Sequence, residues 1–112
     1  AAAFYDAGKV TCVICHATCL LLKARRADRN LIVEGRTWTG FANSEEDYAD
    51  EVVGRPIQPF RIEDQAKRLA GTNFIVGSRF KSHCVRDANL ITGQQQFSGR
   101  EAAQLVIDAV GR

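Results

Sequence analysis

The segment that most constrains this chain is Val10-Thr11-Cys12-Val13-Ile14, which runs directly into Cys15 and then into Ala17-Thr18-Cys19-Leu20-Leu21-Leu22-Lys23-Ala24. The first run is almost continuously apolar and β-branched, the pattern of a strand buried on both faces in a parallel sheet. The second reads as a helix to about Ala24. A strand that passes into a helix with no linker belongs to an α/β arrangement. It leaves Cys15 at the junction, with His16 beside it. The strand is expected in a sheet centre, with neighbours on both sides.

The remaining elements follow the same alternation. Residues Ala1 to Asp6 read as a short helix closed by Gly8. Lys23 to Asn30 reads as a solvated connection. Leu31-Ile32-Val33 and Thr37-Trp38-Thr39 suggest a hairpin around Glu34-Gly35. Phe41 to Val53 carries an acidic cluster of Glu45, Glu46, Asp47, Asp50 and Glu51, and Pro56 and Pro59 mark an irregular stretch. A helix is expected from about Arg61 to Ala70, with Ile62, Ala66, Leu69 and Ala70 on one face and Gly71 as its stop. Phe74-Ile75-Val76 is a short strand candidate. Cys84–Arg86 and Leu90–Thr92 flank the polar turn Asp87-Ala88-Asn89. Ser98 and Glu101 have capping-box spacing for a last helix, whose apolar face carries Ala102, Leu105, Val106, Ala109 and Val110. The fold class is α/β, a mainly parallel sheet flanked by helices.

At 112 residues the chain is one domain or part of one. Its net charge of +2, with basic and acidic residues interleaved, gives no electrostatic footprint for nucleic acid. No apolar stretch approaches the roughly 18 residues of a membrane span. With no leader read at the start, a cytoplasmic location with reduced thiols is expected. Three of the four cysteines crowd one segment across a strand-helix junction, which argues against a disulfide framework. Cys12-Val13-Ile14-Cys15-His16 matches the spacing of a haem attachment motif, but only His83 is left as a second axial ligand, and the segment reads as strand. Cys12, Cys15, His16 and Cys19 lie too close together to close a zinc tetrahedron. Cys12 and Cys19 are read as small buried hydrophobes. No cofactor and no metal are expected.

Cys15 is different, because a thiol at the positive end of a helix dipole is biased towards thiolate. The arrangement has the form of a nucleophile elbow with cysteine in place of serine, and His16 supplies a base. Nucleophilic use of the thiol also needs an acid that orients the base. The cluster Glu45, Glu46, Asp47 offers three, and composition does not choose among them.

The stretch Lys9 to Ala24 resembles the cysteine-elbow region of the ThiJ/PfpI superfamily, which has the flavodoxin-like, class I glutamine amidotransferase-like fold. Three further stretches fit in order: Thr39-Gly40-Phe41-Ala42-Asn43-Ser44-Glu45-Glu46, Pro59-Phe60-Arg61-Ile62-Glu63-Asp64, and Asn89-Leu90-Ile91-Thr92-Gly93-Gln94. The branch they most resemble holds the glutathione-independent glyoxalases (glyoxalase III) and related heat-shock chaperones. The resemblance implies that Cys15 is the nucleophile, His16 the proton-transfer base and Glu46 its acid partner, with Glu45 as the fallback. It gives His83 a structural or pocket-edge place. It implies conversion of a 2-oxoaldehyde such as methylglyoxal to a 2-hydroxy acid. A holdase chaperone or redox sensor, or another cysteine hydrolase or hydratase, are the alternatives.

Residues 1–112 would be the C-terminal half of such a domain, starting just before the nucleophile strand. The N-terminal half would lie on a separate or cleaved chain, and an oligomer is expected. Three positions depart from the family pattern. Ala17-Thr18 replaces Gly-Pro after the Cys-His pair, Asp87-Ala88 replaces Asp-Gly in the last hairpin, and Gln94-Gln95-Gln96-Phe97 replaces a Gln-Asn-Pro-like stretch.

Overall fold

The computed structural model of the chain describes residues 2–56 and 59–111. The expected start of the first helix at Ala1, and the middle of the Pro56–Pro59 stretch, lie outside them. In chain order the elements are α1 (Ala2–Asp6), β1 (Thr11–Ile14), a 3-10 segment (Cys15–Leu22), β2 (Thr37–Trp38), α2 (Asn43–Val53), α3 (Ile62–Arg68), β3 (Asn73–Phe74), β4 (Cys84–Asp87), β5 (Leu90–Gly93), a short 3-10 turn (Gln96–Ser98) and α4 (Gly99–Ala109).

The sheet is mixed rather than mainly parallel. Its order is β1-β5-β4, with β1 parallel to β5 and β5 antiparallel to β4, and a separate parallel pair joins β2 to β3. Within the described residues β1 is therefore an edge strand, not a central one, and the Cys12 side chain is exposed. Cys19 is exposed too, so neither thiol fills a core. The reading as buried hydrophobes fails because β1 lacks a second neighbour and the 3-10 segment turns Cys19 outward.

The β4–β5 hairpin forms where the alternation places it, Cys84 facing Gly93 and Asp87 facing Leu90. The two-residue connection puts Ala88 at φ 55°, the left-handed region that such tight turns demand of their first central residue. The other expected hairpin is absent. Ile32 and Val33 are fully buried, but they lie in a turn that packs into the core rather than in a strand.

The core gathers Tyr5, Leu21, Ile32, Val33, Trp38, Ala66 and Leu90, with Val13, Leu20, Leu69 and Phe74 against its margin. Trp38 meets Phe74 edge-on at 4.7 Å and donates its indole N–H to Thr72. On the opposite side α4 lies against β5 and β1, with Ala102 buried. The Ser98–Glu101 capping box does not form. The Ser98 hydroxyl is drawn instead to the backbone of His83, and Glu101 accepts a hydrogen bond from Ser82. Asp87 ties the hairpin to β2 by accepting from the Thr37 N–H at 2.7 Å and from Arg36 at 3.2 Å.

The acidic stretch forms a helix, α2. Its polar content hides the helical pattern, because Glu45 and Glu46 face inwards and are buried. No helix among the described residues is long and apolar enough to cross a membrane.

Candidate active site

The end of β1 delivers Cys15 in a strained conformation. Its φ is 59°, one of four non-glycine residues on the positive side among the described residues, as a strand-to-helix elbow requires. The helix expected to about Ala24 is 3-10 in form and runs Cys15–Leu22. His16, the next residue, sets its Nδ1 3.9 Å from Sγ. The far ring nitrogen, Nε2, lies 3.2 Å from Glu46 Oε2. The three residues singled out in the sequence are thus in one chain of contacts. The imidazole is also stacked on Phe41, with ring centroids 4.0 Å apart.

The two adjacent glutamates divide by their partners. Glu45 Oε1 accepts the Ala42 N–H, and Glu45 Oε2 accepts the Phe80 N–H at 2.9 Å and Gln94 Nε2 at 2.9 Å. It closes the start of α2 and pins the loop carrying Phe80 onto β5. Glu46 is 2% exposed and has His16 as its partner, while its Oε1 has no hydrogen bond. A carboxylate that accepts from Nε2–H leaves Nδ1 as the acceptor nitrogen facing the sulfur. The geometry therefore associates the histidine with Glu46, not Glu45.

The thiol itself departs from expectation. Burial pushes the Cys15 pKa up, the negative charges of Glu45 and Glu46 push it the same way, and the backbone N–H groups of His16 and Gln96 oppose them. The sum is a raised pKa, so the resting group is a thiol. The N-terminal turn contributes as expected, but desolvation outweighs it.

The sulfur opens onto a cavity of about 380 Å³ lined by Cys15, His16, Phe41, Tyr48, Phe80 and Gln96, with Ala49, Val52 and Val53 along one side. Tyr48 and Phe80 meet edge-on at 5.2 Å, and the Arg79 guanidinium lies 5.6 Å over the Tyr48 ring. A larger cleft of about 700 Å³, lined by Leu22, Lys23, Arg25, Phe60, Gln65 and Leu69, does not reach Cys15. Among the described residues no three His, Cys, Asp or Glu side chains converge as a metal site would require. His83 stays off this cavity. Its ring packs on Gly77, where a Cβ would be only 2.9 Å from the imidazole.

Sequence reasoning missed the aromatic wall. Tyr48 lies on the unrecognised helix α2, and Phe80 lies on a loop that has no periodic signal. It also missed the buried amides. Gln94 receives the Gly77 N–H at 2.6 Å and donates to Glu45. Gln95 donates to the Lys81 carbonyl and accepts the Phe97 N–H. Together they hold the 77–83 loop over the site.

No protein-family model matches the chain, and no curated protein sequence does. Solved structures do, and three of them show the range. The protein APC35852 is 36% identical with a TM-score of 0.83, and the match covers 97% of this chain and 48% of that one. The Rapid Encystment Protein 24 KDa (REP24) of Francisella tularensis is 26% identical with a TM-score of 0.83, covering 98% and 47%. Glyoxalase III (Orf 19.251) of Candida albicans is 22% identical with a TM-score of 0.73, covering 94% and 45%. The chain spans about half the length of each of these structures. Strand, cysteine elbow and surrounding helices make up a ThiJ/PfpI-like α/β fold, which this chain shares with those three proteins.

Proposed function

We propose that this chain carries the nucleophile, base and acid partner of a cysteine-dependent, glutathione-independent glyoxalase. The observation that carries the reading is the sequence of contacts Cys15 Sγ to His16 Nδ1 at 3.9 Å and His16 Nε2 to Glu46 Oε2 at 3.2 Å, at a residue whose φ is 59°. The structural likeness to a glyoxalase III supports the fold on which such chemistry runs.

Because the thiol is held protonated by burial, catalysis begins with proton transfer. His16 Nδ1 takes the Sγ proton as the sulfur attacks the aldehyde carbon of a 2-oxoaldehyde such as methylglyoxal. The carbonyl electron pair moves onto oxygen, where the N–H of His16 meets the developing charge and the imidazolium returns the proton. His16 then removes the hydrogen from the same carbon, forming an enediol, and delivers it to the neighbouring carbon. The ketone becomes an alcohol and the first carbon a thioester. Water cleaves the thioester, the 2-hydroxy acid leaves, and the thiol recovers its proton. One water is consumed and no external oxidant or reductant is needed. Glu46 holds the ring orientation and stabilises the imidazolium throughout.

The open edge of β1 supports a second part of the reading, that an N-terminal half on a separate or cleaved chain completes the sheet beside the nucleophile strand. Assembly into an oligomer and a cytoplasmic location belong to the same proposal. The exposed apolar side chains Val52, Val53 and Phe97 favour one rival, holdase chaperone action through apolar surface.

The deciding experiment follows methylglyoxal loss and hydroxy-acid formation without glutathione, in the full-length protein. Cys15→Ala is expected to abolish turnover. Glu46→Gln is expected to reduce it by two or more orders of magnitude. Turnover that survives Cys15→Ala would end the proposal. Wild-type protein without turnover that still suppresses client aggregation would replace it with the chaperone.

A further inference from the structure

Thr18 is completely buried, three residues beyond the nucleophile, and its hydroxyl donates to the Cys15 carbonyl at 2.7 Å. A threonine in a helical segment often returns its hydroxyl to a carbonyl one turn back. Here that carbonyl belongs to the one residue of the segment with positive φ. The same peptide unit that presents the Cys15 oxygen to Thr18 presents the His16 N–H on its other side, since both groups lie in one rigid plane. That N–H is one of the two backbone groups that counter the burial of the sulfur.

The surroundings are built to keep Thr18 in place. Gly40, from the loop after β2, lies so close that a Cβ there would run into Thr18 Oγ1 and Cβ. Nothing larger than glycine fits opposite this side chain. Its β-branch limits χ1, so the hydroxyl has little freedom to leave the carbonyl. Thr18 occupies the second of the two positions, Ala17-Thr18, that follow the Cys-His pair and set this sequence apart.

We propose that Thr18 is a positioning residue for Cys15: its hydroxyl fixes the Cys15–His16 peptide plane, so that the His16 N–H stays aimed at the sulfur and at the oxyanion that forms beside it. This rests on the reading of Cys15 as nucleophile, but it makes a claim about the thiol that can be measured without any substrate. A hydrogen bond to the carbonyl also polarises the amide, which strengthens its N–H as a donor. Loss of the Thr18 hydroxyl therefore weakens the stabilisation of thiolate and of oxyanion together. It leaves the cavity walls unchanged.

The test compares Thr18→Ser and Thr18→Ala in the full-length protein, since the two differ by one oxygen and share the loss of the methyl. Iodoacetamide labelling of each cysteine is followed by peptide mapping across pH. The alanine variant is expected to show a Cys15 profile displaced to higher pH, with labelling near neutrality reduced roughly three- to ten-fold, the size of one net hydrogen bond. The serine variant is expected to lie close to wild type. Aldehyde turnover should lose kcat in the alanine variant with KM little changed.

Cys84, whose thiol is tied to the Ser98 carbonyl, is the internal control for folding. If alanine opens the core, seen as faster Cys84 labelling, Thr18→Val fills the volume and serves the same comparison with serine. An unmoved Cys15 profile without the hydroxyl, or equal displacement in the serine variant, overturns the proposal. A displaced profile in a protein that never turns over aldehyde upholds the positioning role and removes only the glyoxalase reading.

Discussion

Glu45 and Glu46 are consecutive, almost equally buried at 0% and 2% exposure, and unequally satisfied. Glu45 accepts three hydrogen bonds, from the Ala42 N–H, the Phe80 N–H and Gln94, whereas Glu46 meets the His16 ring and leaves Oε1 unpartnered. One carboxylate is spent on holding three segments together, the other on a single imidazole. Glu45→Gln places an amide N–H₂ against groups that are all donors. It is expected to cost about 1–3 kcal/mol of stability, seen as a lower urea midpoint. Glu46→Gln is expected to leave that midpoint nearly unchanged while turnover collapses. Equal loss of stability in both would contradict this division.

The hairpin turn carries a backbone cost that one substitution removes. Ala88 sits at φ 55°, where an L-residue with a Cβ is disfavoured by about 1–2 kcal/mol. Glycine enters that region freely. Ala88→Gly is expected to raise stability by about 0.5–1 kcal/mol once the greater freedom of the unfolded chain is counted. Chemical denaturation reads the gain, and a loss of stability would refute it.

Cys84 makes stability fall at alkaline pH. Burial first, and then the charge of Glu101, push its pKa up to about 11. The unfolded chain releases the thiol proton from about pH 8.5 upwards. Above that point the native state binds more protons than the unfolded state, so unfolding becomes easier as pH rises. The contribution is complete below the unfolded pKa and is lost by about pH 11. Urea titrations at pH 8 and pH 10.5 should show a steeper decline for wild type than for Cys84→Ala. Parallel declines would count against it.

The same chemistry orders the thiols. Burial raises the pKa of both Cys15 and Cys84, and that of Cys84 further, to about 11. Cys84 is expected to label more slowly than Cys15, whose rate should keep climbing above the ordinary thiol range. Mass-spectrometric peptide mapping of iodoacetamide adducts between pH 7 and 10 gives both rates. Faster labelling of Cys84 would show that burial does not govern the order.

Much of this layout was legible because it obeys simple periodicities. The β4–β5 hairpin, the elbow at Cys15, and the buried Ile62, Ala66 and Ala102 of α3 and α4 each follow from runs of apolar residues broken by turn residues, whereas α3 stops at Arg68, with Leu69 extended and Ala70 exposed, and Val110 lies exposed past the end of α4. What escaped was burial of polar groups. Glu45 and Glu46 on α2, Thr92 on β5, and Gln94, Gln95 and Ser98 after it, are inside because each has partners far away in sequence. No local pattern announces such partners. Ile32 and Val33 show the opposite failure, since their β-branched run is buried in a turn, and composition cannot tell a buried turn from a strand. The edge position of β1 was missed for a third reason. A doubly apolar strand implies neighbours on both sides, and among the described residues only one exists.

The pairing of β1 with β5 sets a timetable. Thr11 finds its partner in Leu90 and Ile14 in Gly93, so among the described residues the strand that carries the cysteine waits for β5 before it is paired. Contacts of such sequence separation carry a large loop-closure cost and slow folding. During synthesis Cys15 precedes that partner by some 75 residues, as a thiol on a strand not yet paired with β5. The strained backbone, the histidine contact and the buried carboxylate are imposed on it only when the last hairpin arrives. The fold both sets a base beside Cys15 and raises its pKa, so a chain that lacks its last hairpin carries a more readily ionised thiol with no positioned base.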